Sequence, residues 1–219
     1  MKKVQIFDST LRDGAQARGI NYSVSDKLNV LKLLDELGID YIEAGNPASN
    51  PKERDFFEKA AKVKLNHAKL VAFGSTRRKN SKTEEDAGVQ ALLSAGTKTV
   101  SIFGKTWDLH VTDVLNTTLE ENLSMIYDTI DFFKKKGIEV IFDAEHFFDG
   151  YKANPDYALK VLKTAEKANA DCLVLCDTNG GTMLCEMREA LKASRQAVGS
   201  ALGIHAHNDS ELAVANYRS

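Results

Sequence analysis

The chain predicts an α/β protein with a parallel sheet, more specifically a (β/α)8 TIM barrel, and three observations carry that prediction. Short apolar runs bounded by Gly, Asn or Asp recur at intervals of roughly 30 to 40 residues, the spacing of βαβ units. Amphipathic helical patterns separate most of them. Polar residues gather at the C-terminal ends of many different runs, the habit of barrels. An open doubly wound sheet would instead carry a glycine-rich phosphate loop after a strand, and none occurs here.

The strands expected in order are Val4–Asp8, Tyr41–Gly45, Leu70–Gly74, Thr99–Phe103, Glu139–Ala144, Cys172–Cys176 and Gly203–His207. Val, Ile, Leu and Phe dominate them, as strands buried on both faces require. Ser25–Leu37 repeats leucine at 28, 31, 34 and 37 and stops at Gly38. Ser25 is the expected N-cap, with Asp26 in the first turn. Thr83–Ala95 is a further helix. Leu119–Lys136 carries Leu123, Ile126, Ile130 and Phe133 on one face and closes on three lysines and Gly137. Cations and a glycine suit a helix C-terminus, where the dipole is negative and the chain turns left-handed. Pro155–Ala168 and Met183–Val198 complete the helices. Seven strands appear where a closed barrel has eight, and Ser219 falls within a seventh helical segment. No linker divides the chain, so residues 1–219 read as one partial barrel domain.

Hydrophobic residues make up 43% and charged residues 27%, too apolar a composition for disorder. The 29 basic and 31 acidic side chains leave a net charge of −2, which argues against a dedicated nucleic-acid binder. No apolar run reaches the roughly 18 residues of a membrane span. Met1-Lys2-Lys3-Val4-Gln5-Ile6-Phe7-Asp8 meets an acidic residue too early for a signal peptide, so the cytoplasm is the expected compartment. Cys172, Cys176 and Cys185 make no C-x-x-C pair and read as small core thiols in a reducing compartment.

Among the strand-end residues, His205 and His207 are the sharpest pair. Two apart in a strand, they face one way and can grip one ion. Asp13, at the end of another strand, adds a carboxylate. Two imidazoles and one carboxylate leave positions open for substrate and suit Mg²⁺, Mn²⁺, Co²⁺ or Zn²⁺ without choosing among them. Arg12 is placed to stabilise a developing enolate or alkoxide, to grip a carboxylate, or to form a surface ion pair. Glu43 follows an apolar strand, and a buried glutamate needs a partner, for which Arg12 is the natural choice. Glu145 and Asp143 share a face and fit a base, a group steadying a metal ligand, or a structural cap. Thr178 offers a hydroxyl to a substrate carboxylate or is a turn residue. His67 reads as solvated, and His110 as part of a loop that borders the pocket. Arg77-Arg78-Lys79 reads as a solvated charge run rather than a phosphate contact.

D-S-T-L-R-D-G-A-Q (Asp8 to Gln16), I-E-A-G-N-P (Ile42 to Pro47) and H-A-H-N-D (His205 to Asp209) together resemble the DRE-type metal-dependent barrels. That superfamily includes the isopropylmalate, homocitrate and citramalate synthases and hydroxymethylglutaryl-CoA lyase. F-G-S-T-R-R-K-N, F-G-K-T-W-D-L-H-V, D-A-E-H-F-F-D-G-Y-K-A-N-P and L-C-D-T-N-G-G-T resemble the citramalate synthase branch. The resemblance implies an acyltransferase that condenses acetyl-CoA with pyruvate to (R)-citramalate and CoA, on a route to isoleucine. It implies a divalent ion on Asp13, His205 and His207, and Arg12 against the keto oxygen and enolate charge. It further implies that Glu43 orients Arg12, that Thr178 holds the keto-acid carboxylate, and that Glu145 helps activate the base. Another 2-keto acid such as 2-oxoisovalerate, a retro-aldol lyase, or an inactive metal-binding fragment are the competing readings.

Ala15 departs from the family pattern, which has an acidic residue before the glutamine. Also missing are the eighth strand and the C-terminal regulatory region, which helps form the family's homodimer and lends a residue that assists the base. The expectation is a shortened chain, a partial catalytic barrel with two open edges. Alone it is expected to be weakly stable or to associate, with little activity.

Overall fold

Each apolar run becomes a strand, and the strands pair in the order in which the chain makes them. The computed structural model describes residues 4–218, so Met1 to Lys3 and Ser219 of the reading above lie outside it. Strands β1 (Phe7–Asp8), β2 (Tyr41–Glu43), β3 (Lys69–Ser75), β4 (Thr99–Lys105), β5 (Glu139–Glu145), β6 (Cys172–Asp177) and β7 (Ala201–Ala206) form one seven-stranded sheet. All neighbours are parallel. The helices between them are α1 (Val24–Leu37), α2 (Pro51–Ala60), α3 (Ala87–Ser94), α4 (Leu119–Lys135), α5 (Phe147–Ala153), α6 (Pro155–Lys167) and α7 (Leu184–Ala197), and α8 (Ala213–Tyr217) follows β7. The sheet curls into an incomplete (β/α)8 barrel. Its curl is deep enough that Asp13, after β1, touches both histidines at the end of β7. Among the described residues, no helix is long and apolar enough to cross a membrane.

Side chains alternate across each strand, so the sheet serves two interiors. Ile42, Ala72, Val100, Ile102, Val140, Phe142, Leu173 and Leu175 face the helices and form the main core with Phe56, Ile126, Phe133 and Leu162. Tyr41, Val71 and Ile141 make a smaller cluster with Cys172 and Val174 on the other face. Below it the carboxylate of Glu139 accepts hydrogen bonds from Tyr41, Lys69 and Thr99. Above it, at the C-terminal ends of the strands, lie Glu43, Ser101, Asp143 and His205. The inner face thus runs from a polar floor through an apolar middle to a polar mouth.

Several boundaries differ from the sequence reading for physical reasons. Val4 and Ile6 are exposed, and β1 stands in register with β2 through Phe7 and Asp8, with the Ile6 carbonyl accepting from the Tyr41 amide just before it. Ser23, not Ser25, caps α1: its hydroxyl accepts from the Asp26 amide while Asp26 accepts from the Ser23 amide. That reciprocal box needs an acid three residues on, and Ser25 has Leu28 there. Leu37 is 75% exposed because successive three-residue steps fall short of a helical turn and drift off the buried stripe of Leu31. Asp86 splits Thr83–Ala95: it is extended, and its carboxylate caps the amides of Gly88 and Val89. Arg77 is not solvated but 5% exposed, tied to Glu121 and Asp128. Cys176 and Cys172 are inside as expected, whereas Cys185 is exposed.

Gly45, just beyond β2, shows why the chain can turn there. Its φ is +135°, and a Cβ would fall 1.8 Å from Oε2 of Glu53. That carboxylate cannot retreat easily, because Lys27, itself 2% exposed, holds both its oxygens at 2.7 and 2.8 Å. Gly45→Ala is therefore expected to cost about 2–4 kcal/mol, from backbone strain and disruption of a buried ion pair. A urea denaturation series checks this; a midpoint matching the parent chain would contradict it.

Candidate active site

Strand ends and the loops after them place the polar mouth. The turn after β1 puts Asp13 at the start of a short 3₁₀ segment, Gly14–Gln16. On β7, His205 pairs in register with Cys176, and the His207 amide continues the ladder to the Asp177 carbonyl. The two rings therefore rise on one side, centroids 5.1 Å apart. Asp13 Oδ2 lies 3.4 Å from His205 Nε2 and 3.2 Å from His207 Nε2. All three donor atoms fall within 4.8 Å of one another. Ligands held about 2.1 Å from one divalent ion stand roughly 3.0 to 3.4 Å apart, for right-angled or tetrahedral arrangements. The two measured separations suit such a group, and all three side chains keep partial access to solvent.

Arg12 joins this group to the interior. Its Nε donates to Glu43 Oε2 at 2.5 Å and its Nη1 to Asp13 Oδ1 at 3.2 Å. The guanidinium carbon sits 3.9 Å over the Phe73 ring, which stacks on Phe103. Glu43 is fully buried. Burial, with help from Asp143, pushes its pKa up to about 7 against the pull of Arg12. For Asp13 the hydrogen bond from His205 outweighs burial and, with Arg12, brings the pKa down to about 2. The same contact raises His205. Asp143, raised by burial, accepts from the Ser101 hydroxyl at 3.0 Å. Groups of both signs thus meet at the mouth, and burial pushes the two acids deepest inside, Glu43 and Asp143, toward their neutral forms.

The other two expected residues stand in adjoining clusters. Glu145, at the end of β5, forms an ion pair with Lys105 from β4. Thr178 follows β6, and its Oγ1 accepts from the His146 amide at 2.9 Å. His146 in turn lies beside His110 and Trp107, with ring centroids 4.5 and 6.0 Å away. His110 is not in a plain loop: it opens a π-helical turn, His110–Val114. The sequence places His146 at the rim and Trp107 to Val111 in a loop bordering the pocket, but does not join them as one aromatic group. The available signal was W-x-x-H after β4 together with a histidine just past the end of β5.

The chain matches the HMGL-like family model over residues 3–218. The chain belongs to the HMGL-like family. It is 58% identical over 216 residues to the (R)-citramalate synthase of Aquifex aeolicus, covering 98% of this chain and 41% of that protein. With the (R)-citramalate synthase of Geobacter sulfurreducens the identity is 53%, over 99% of this chain and 41% of that protein. The chain therefore spans about 41% of the length of these curated relatives. In fold it is similar to the HMG-CoA lyase of Bacillus subtilis, with a TM-score of 0.82 at 19% identity, covering 100% of this chain and 73% of that one.

Proposed function

We propose that this chain carries the metal and keto-acid site of an (R)-citramalate synthase, in which acetyl-CoA, pyruvate and water give citramalate and CoA. The observation that carries this reading is one constellation: Asp13, His205 and His207 gathered as a ligand set, with Arg12 bonded to both Asp13 and the buried Glu43. The two synthases named above, at 58% and 53% identity, support the choice among reactions. Following the resemblance, the whole protein would work as a cytoplasmic homodimer on the route to isoleucine.

Asp13, His205 and His207 would hold a divalent ion, which would supply Lewis-acid polarisation of a ketone. The residues around it divide the remaining work. Arg12, kept in one rotamer by Glu43, Asp13 and the Phe73 ring, presents its charge to the oxygen on which negative charge develops. Glu43 orients Arg12 and balances its charge away from water. Thr178 donates its hydroxyl to the keto-acid carboxylate. Glu145, steadied by Lys105, supports the base that takes a proton from the acetyl methyl group. The enolate carbon then bonds to the keto carbon, and water cleaves the thioester.

Thiol release from acetyl-CoA, followed in the whole protein with a panel of 2-keto acids and Mg²⁺ or Mn²⁺, tests this. Release with pyruvate well above that with 2-oxoisovalerate is expected. Equal release with the larger acid, or release with none, would overturn the proposal.

A further inference from the structure

Beside the proposed substrate hydroxyl of Thr178 the structure holds a closed set of hydrogen bonds to which the reading above gives no task. His146 sits in the left-handed region, φ 54°, although it carries a side chain. Such a conformation is strained for a residue with a Cβ and persists only where its surroundings force it. Here the forces are visible. Its amide donates to Thr178 Oγ1 at 2.9 Å. Its ring Nδ1 lies 2.9 Å from Asp149 Oδ2, on α5. The same oxygen accepts from Asn179 Nδ2 at 3.0 Å, and Asn179 adjoins Thr178. The carboxylate therefore grips the residue that bonds the Thr178 hydroxyl and the residue next to Thr178. His146 Nδ1 and burial act oppositely on Asp149, and its pKa is lowered, so it stays ionised at neutral pH.

The consequence concerns a single proton. An amide N–H can only donate, so Thr178 Oγ1 is held as an acceptor on one side and its own O–H is directed elsewhere. A hydroxyl held in this way is a prepared donor for a carboxylate. We propose that Asp149 is a positioning residue, which through His146 and Asn179 holds the Thr178 hydroxyl ready to donate to the carboxylate of the 2-keto acid. This rests on the assignment of Thr178 made under Proposed function and adds a residue to it.

The chain's single tryptophan makes the set measurable without turnover. Trp107 lies 4.8 Å from His110 and 6.0 Å from His146, so its emission responds to the neighbourhood of the clamp. The experiment is a pyruvate titration of the whole protein in Mg²⁺, read by the part of the fluorescence change that Trp107→Phe removes and checked by calorimetry. Thr178→Val, which keeps the shape and removes the donor, is expected to weaken binding by ~10-fold or more, and Thr178→Ser to restore it to within about threefold. Asp149→Asn is expected to weaken binding by about 3- to 10-fold in the parent protein and by less than twofold in the Thr178→Val background. That lost effect in the double variant marks action through Thr178, because a general structural defect would add. Asn179→Ala removes the second hold on Asp149 and is expected to behave likewise, which keeps the test intact should Asp149→Asn fold poorly. Unchanged affinity in both Asp149→Asn and Asn179→Ala, or an effect of either that adds fully to Thr178→Val, would overturn the inference. Absence of pyruvate binding by the parent protein would instead overturn the function proposed above, and this inference with it.

Discussion

In the whole protein, replacing His205 by alanine is expected to weaken Mn²⁺ binding by at least ~100-fold and to reduce the citramalate formation proposed above to background. Substitutions merely beside a metal ligand commonly cost ~10- to 100-fold in affinity, and a ligand itself costs more. Asp13 and His207 would remain as a two-donor set, with Asp13 still paired to Arg12. The protein should nevertheless fold, because His205 is on a partly exposed edge strand rather than in either core. The pH dependence has a definite sign. Metal binding requires neutral imidazole, and Asp13 raises the pKa of His205, so protons compete to a higher pH than at an ordinary histidine. Affinity in the parent protein should therefore fall as pH is lowered through that range. Equilibrium dialysis against Mn²⁺ measures this directly. Unchanged stoichiometry and affinity in His205→Ala would remove the proposed ligand.

Glu43→Gln should retain the metal and lose about 100-fold or more in kcat. The amide keeps the shape but not the charge that fixes Arg12, and misplacing a charged group by about 1 Å is enough for such a loss. Breaking a buried pair usually costs about 3–5 kcal/mol. The lower end is expected here, because Arg12 keeps Asp13 and the Phe73 ring, and Gln removes a carboxylate that burial already disfavours. The pH response of stability is diagnostic. Folded Glu43 titrates near 7 against an ordinary value of 4.5, so between those values the native state binds the extra proton. Its contribution to stability is thus present at low pH and is lost as pH rises through about 7, where the carboxyl must ionise inside the protein. Glu43→Gln should abolish that part of the slope while leaving bound Mn²⁺ unchanged. Equal kcat in the two proteins, or loss of the metal from the variant, would contradict the role given to Glu43.

The grouping of the three candidate ligands was legible because it depends on local rules. His205 and His207 share a face by strand periodicity alone, and Asp13 follows a strand that parallel topology carries to the same end. Glu43 was legible as a buried acid needing Arg12. What escaped the sequence depends on tertiary packing. Arg77 lies in a run of three cations, and only the approach of α4, with Glu121 and Asp128, shows that it is buried. The helices Pro51–Ala60 and Phe147–Ala153 went unassigned. The first begins at Asn50, whose side chain caps it, and the second contains Gly150, where a Cβ would meet the Thr106 carbonyl at 2.6 Å. That close approach has no one-dimensional signature. The left-handed His146 is partly of the same kind: Asp149, which its ring meets, is only three residues on, but Thr178, which its amide meets, comes from beyond β6.

Anomalous diffraction from crystals soaked in Mn²⁺ tests the central claim most directly. The structure predicts one strong peak at the mouth of the curled sheet, about 2.0–2.3 Å from Asp13 Oδ2 and from Nε2 of both His205 and His207. A peak elsewhere, or none with these three side chains turned apart, would contradict it.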